Sequence, residues 1–119
     1  MKSYERCLND FLCGVSMTEN IDYSNMKSVR KNNSGVDKYR KNAKYIANFH
    51  PDRINDFLTL LNHENENVRV CCGVCAVELM EISENQRGVI KGIIQKHSSE
   101  SGRAEQMGWT SWLEEHNLL

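Results

Sequence analysis

The residues of this chain with chemistry to offer are five cysteines, four histidines and a scatter of acids. Cys71, Cys72 and Cys75 crowd into one short stretch, and Cys72-Gly73-Val74-Cys75 is a C-x-x-C. That motif does redox work when its first cysteine stands at an exposed helix N-terminus, where the dipole lowers the thiol pKa. Here Val68 to Cys71 already supply a helical turn upstream, so the motif falls inside a helix on small-residue packing positions. A zinc site needs more ligands at suitable spacing. None of His50, His63, His97 or His116 stands three or four residues from another histidine or from a cysteine. An odd set of cysteines is no disulfide framework, and in a reducing compartment thiols behave as small hydrophobes. No Gly-rich phosphate loop, serine elbow or apolar carboxylate pair is visible. The expectation is a non-enzyme without metal or cofactor.

Surface candidates remain. A helix over 66–82, advanced at about 100° per residue, puts Asn67, Cys71, Val74, Glu78 and Glu81 on one side. Arg69, Gly73, Ala76 and Met80 fall on the other, with Val68, Cys72, Cys75 and Leu79 between them to pack on the preceding helix. The side joining Glu78 and Glu81 to an apolar Val74 is a candidate binding strip. In the last helix Trp109, Trp112 and His116 share a side. Tryptophan is enriched in binding hot spots and is also commonly well buried, so both indoles are candidates for interface and for core. The basic run Lys38-Tyr39-Arg40-Lys41-Asn42-Ala43-Lys44 contains an aromatic, but Tyr39 falls with Ala43 and Ile46 on an apolar stripe. Its charges then read as a solvated face, and nucleic acid is the least favoured partner.

The elements that must position these residues are helical. One proline, Pro51, and little period-two alternation argue for an all-α chain. A length of 119 residues suits one domain, 1–119. The 39% hydrophobic and 26% charged content suits a packed core rather than disorder. Seven helices are expected. The first covers 4–15, with Cys7, Leu8, Phe11, Leu12 and Val15 on one face. The second covers 23–31, with Met26 and Val29 inward, and Asn32-Asn33-Ser34-Gly35 breaks it. The third covers 36–49. His50-Pro51 then starts a fourth that runs to Asn62, and the fifth covers 66–82. Ser83 with Gln86 forms a capping box for the sixth, and the seventh covers 103–115. Short loops imply antiparallel neighbours: residues 51–82 and 84–116 form two repeat pairs, and 1–49 caps them.

No apolar run reaches the roughly 20 residues that span a bilayer, and the start Met1-Lys2-Ser3-Tyr4-Glu5-Arg6 lacks a signal-peptide apolar stretch. The expected location is the cytoplasm. Net charge is −1, but its distribution is uneven. Residues 24–50 hold seven bases against one acid, a net of +6, and residues 51–85 hold seven acids against two bases, a net of −5. Such asymmetry steers charged partners without specifying a fold.

The pattern Leu60-Leu61, a polar turn His63-Glu64-Asn65-Glu66-Asn67, then Val68-Arg69 and a small-residue helix resembles a HEAT-type repeat. With Phe11 in the first helix, a loosely fitting Asn25-Met26-Lys27 element and tryptophans in the last helix, the whole chain looks like a family of short bacterial HEAT-like domains. These are similar to immunity proteins of polymorphic toxin systems, including contact-dependent growth inhibition. The resemblance implies a HEAT/armadillo-like antiparallel array that binds and neutralises a cognate toxin, a basic nuclease domain, with the second helix of each repeat lining a concave surface. It also implies that Arg69 braces the adjoining turn, with Asn65 or Asn67 as acceptor. Rival roles are a generic scaffold or adaptor and a nucleic-acid-binding array using residues 27–44.

Overall fold

The computed structural model describes residues 1–119, all-helical and without strands. Its helices are α1 (Tyr4–Ser16), α2 (Met26–Phe49), α3 (Ile54–Phe57), α4 (Glu66–Leu79), α5 (Glu84–Ser99) and α6 (Arg103–Glu115), with 3-10 turns at Pro51–Arg53 and Leu58–Asn62. No helix is long and apolar enough to cross a membrane. The chain divides into two compact units, Met1–Phe57 and Leu58–Leu119. The division falls inside the segment 51–82 that the sequence pattern groups as one repeat pair.

In the first unit Ser3 caps α1, its hydroxyl accepting from the Arg6 amide. The three- and four-residue spacing of Cys7, Phe11 and Val15 becomes a fully buried stripe. Phe11 meets Tyr39 edge-on at 5.7 Å and Phe57 at 5.0 Å. Against these α2 buries Gly35, Ala43, Ile46 and a polar residue, Asn42. The Asn42 amide is satisfied on both sides: it donates to the Lys38 carbonyl and accepts from the Lys2 ammonium.

Here the expected seven helices become six. The second and third are one helix, opened by the Asn25 cap and unbroken at Asn32–Gly35. The reason lies in packing. A Cβ built on Gly35 would stand 2.6 Å from the Gly14 carbonyl oxygen, and one on Gly14 would stand 2.7 Å from the Tyr39 amide nitrogen. Gly35 is therefore the crossing point of α1 and α2, not a breaker. A glycine costs a helix roughly 1 kcal/mol, and close burial around the crossing outweighs it. Met26, expected inward, lies at the new N-terminus and is 65% exposed.

The expected fourth helix is also corrected. It resolves into the turn Pro51–Arg53, the four-residue α3 and the turn Leu58–Asn62. Three residues per turn eclipses side chains at i and i+3, which stacks Leu58 over Leu61, both buried.

In the second unit Asn65 caps α4, accepting from the Asn67 and Val68 amides. Ser83 and Gln86 form the reciprocal capping box that opens α5. α4 buries Val68, Cys72, Cys75 and Ala76 on one broad side and Val70 and Gly73 on another, and Gly73 lies close against Ile90 of α5. α6 ends in a Schellman turn. Asn117 takes a positive φ of 57°, its amide donates to the Glu114 carbonyl, and the Leu118 amide reaches back to Leu113 at 2.8 Å. The motif brings two apolar residues together, and Leu113 and Leu118 are both buried.

Candidate functional site

One edge of α4 that its packing leaves open carries Asn67, Cys71, Val74 and Glu78, four residues at helical spacing. Asn67 is exposed; Cys71, Val74 and Glu78 are half-buried. Glu81 does not extend this row. α4 stops at Leu79, and Met80 caps it in an extended conformation, φ −127° and ψ 156°, so Glu81 leaves the helical face. The expected helix to Ile82 is three residues too long.

α6 supplies the rest. The Trp112 indole N–H donates to Glu78 Oε2 at 2.8 Å, and His116 Nε2 stands 3.9 Å from the same oxygen. Trp112 and His116 rings are tilted against each other at 4.7 Å. Trp109 meets Trp112 edge-on at 5.9 Å and His97 of α5 edge-on at 5.7 Å. His97 Nδ1 in turn lies 3.2 Å from Glu66 Oε1, at the N-terminal end of α4. The result is a ladder of four rings, held at each end by a carboxylate of α4. Neither tryptophan is buried outright or fully exposed, so each serves core and surface together.

The sequence-derived candidates thus divide. Glu78, Trp109, Trp112 and His116 are in direct mutual contact or one ring apart. Asn67 and Val74 lie along the adjoining edge of α4, and Glu81 stands outside. His97 and Glu66 belong to the ladder, yet nothing in their sequence surroundings marks them; they meet across 31 positions of chain. Glu105, exposed one turn before Trp109, adds another carboxylate to the same side of α6.

Arg69 donates to the carbonyls of His63 at 2.7 Å and Glu64 at 3.0 Å. It braces the turn, with backbone oxygens as the acceptors where the asparagines were expected. Asn65 is engaged as the helix cap instead. Cys72 and Cys75 are fully buried. Burial pushes the Cys72 thiol well up, and the neighbouring thiols of Cys75 and Cys71 add to the shift. A thiol held protonated is a poor nucleophile, so the C-x-x-C packs rather than reacts.

Chemically, the ladder offers indole faces and edges beside carboxylates. Aromatic faces attract cations, and pre-ordered tryptophans present large contact area at low entropic cost. The arrangement can accept a cationic or apolar group against its ring faces. No family model, no curated protein and no solved structure matches the chain.

Proposed function

We propose that the chain is a protein-binding module built as a HEAT-like helical array, and that it acts as an immunity protein, docking a cognate toxin through the α4–α6 ladder. The toxin in this reading is a basic nuclease domain, met in the cytoplasm, where the five free cysteines stay reduced. The carrying observation is the half-buried pair Trp109 and Trp112, fixed to Glu78 and, through His97, to Glu66. Buried aromatic anchors ringed by groups that exclude water supply most interface energy, and the surrounding acids add on-rate and selectivity toward a basic partner. The HEAT-like part rests on the Leu60-Leu61, Val68-Arg69 pattern and on the Arg69 brace across the turn.

The test is protection. The protein and the product of the gene adjoining its own are co-expressed, and survival and complex formation are measured. Trp109→Ala should weaken binding by roughly 30-fold or more, the scale of a hot-spot truncation, with an unchanged helical spectrum. Glu105→Lys, at an exposed position, should reduce the association rate. Undiminished protection by both variants would remove this surface from the proposal, and a neighbouring product that is no toxin would remove the immunity role.

A further inference from the structure

The unbroken α2 has a consequence that two separate helices would not. Its 24 residues set one register from end to end. Stepping by about 100° places Lys27, Lys31, Lys38, Lys41, Tyr45 and Phe49 within one sector about 80° wide. From Lys27 to Phe49 the row runs roughly 33 Å at 1.5 Å per residue. Lys27, Lys31 and Lys41 are exposed, and Lys38 is half-buried with Nζ 3.6 Å from Cys13 Sγ. Arg30 and Lys44 flank the row and are exposed.

Grooves run beside it. One of about 580 Å³ is lined by Lys2, Lys38, Lys41 and Tyr45, with Asp10 and Asp37; a second, about 410 Å³, includes Lys27 and Lys31 with Glu19. The bases outnumber the acids: Asp10 and Lys2 pair with each other, Asp37 is the one acid on α2 itself, and Glu19 is the one acid lining the second groove beside Lys27 and Lys31.

The C-terminal end of the row is aromatic. Tyr45 and Phe49 stack at 4.5 Å with 37° between planes. Tyr45 is pinned by the Lys2 amide, which donates to its hydroxyl at 3.0 Å. Phe49 is 52% exposed, so the outer part of its ring is open to a ligand.

We propose that this face of α2 binds single-stranded nucleic acid, the lysines tracking the phosphates and the Tyr45–Phe49 pair stacking an unpaired base. A cationic track combined with an aromatic platform is the common solution for single strands, because every base has a π-face. A duplex would offer no free base to Phe49, whereas a single strand offers both phosphates to the lysines and a base to the ring. The inference is carried by the first unit alone and does not depend on the docking of a protein to the α4–α6 ladder.

Fluorescence anisotropy with a labelled oligothymidylate of about 12 nucleotides, a duplex of equal length and polyglutamate tests it. The full-length protein should bind the single strand in preference to the duplex. The logarithm of its affinity should fall with log salt at a slope near −3, about −0.7 for each of four neutralised phosphates. Phe49→Ala should cost between roughly 5- and 150-fold with the slope unchanged. Lys27→Gln with Lys31→Gln should flatten the slope by about 1.4. All three side chains are exposed, so the fold is kept. Absence of binding at low salt overturns the proposal. So does binding of duplex or polyglutamate as tight as that of the single strand with no effect of Phe49→Ala, which would mean attraction to any polyanion.

Discussion

Gly35→Ala tests the unexpected continuity of α2 most sharply, because two effects of opposite sign compete at that site. In an open helix, alanine for glycine gains roughly 0.5–1 kcal/mol, since glycine loses more backbone freedom on folding. At Gly35 the new methyl would stand 2.6 Å from the Gly14 carbonyl oxygen and 2.8 Å from Met17 Cβ. Ordinary carbon contacts begin near 3.5 Å, so α1 and α2 must part by about 0.9 Å. A gap of that size forfeits a quarter to a half of each dispersion contact nearby, and Phe11, Val15 and Tyr39 all pack near this crossing. Overpacking costs about 1–3 kcal/mol, and contact with a backbone atom, which cannot rotate away, puts this case at the upper end. Less the helix gain, the net loss is about 2 kcal/mol. Gly14→Ala faces the same obstacle. Once the helices have parted for one methyl the second fits more easily, so the double variant should lose less than the two singles combined. Gly88→Ala is the control: a Cβ there meets nothing within 4 Å, and it should stabilise by roughly 0.5–1 kcal/mol. The assay is urea denaturation followed by far-ultraviolet circular dichroism, where a loss of 2 kcal/mol moves the midpoint by about 1 M at a slope near 2 kcal/mol/M. A Gly35→Ala protein as stable as wild type, or stabilised in step with Gly88→Ala, would refute the crossing.

Two further outcomes follow from burial and from backbone geometry. A thiol reagent on the native protein should label exposed Cys13 first and Cys71 more slowly, leaving Cys7, Cys72 and Cys75 until unfolding; peptide mass mapping reads the order, and Cys72 labelling as fast as Cys13 would contradict its buried, protonated state. Because Asn117 holds φ at 57°, Asn117→Gly should gain about 0.5–1 kcal/mol and Asn117→Val should lose about 1–2 kcal/mol. Tryptophan fluorescence during denaturation measures both, and equal stability of the two variants would rule out the left-handed turn.

The helical class was legible because the periodic stripes are strong: Cys7, Phe11 and Val15, or Ile90 and Ile94, had no other way to share a face. The capping box at Ser83 and the termination at Pro51 were legible because their chemistry is local. What failed was punctuation that depends on partners. Asn32-Asn33-Ser34-Gly35 has the composition of a loop, and only the approach of Gly14 turns its glycine into a packing residue. Glu81 continues the helical spacing of Glu78, and only the extended backbone of Met80 takes it off the face. Among the candidate site residues, Trp109, Trp112 and His116 share a side by spacing alone. Their link to Glu78 needs α4 and α6 to meet over 34 positions of chain, and the link from His97 to Glu66 has no local signature at all.

The charge asymmetry takes on a sharper meaning once residues are assigned to units. The basic stretch 24–50 lies wholly in Met1–Phe57, whereas the acids of 51–85 fall on both sides of the division. Asp56 is paired with Arg53 in the first unit. In the second, Glu66 and Glu78 are drawn into the ladder by His97 and Trp112, where they orient rings as well as offer charge. The basic face is mostly exposed ammonium groups on long stems, and exposed charges are screened by salt. The acidic face is a half-buried aromatic cluster with fixed carboxylates, where desolvation rather than long-range attraction dominates and the gain lies in slow dissociation. Salt should therefore separate the two surfaces. Under the two proposals, binding through α2 should fall steeply as ionic strength rises, whereas binding through Trp109 and Trp112 should lose association rate and keep most of its residence time.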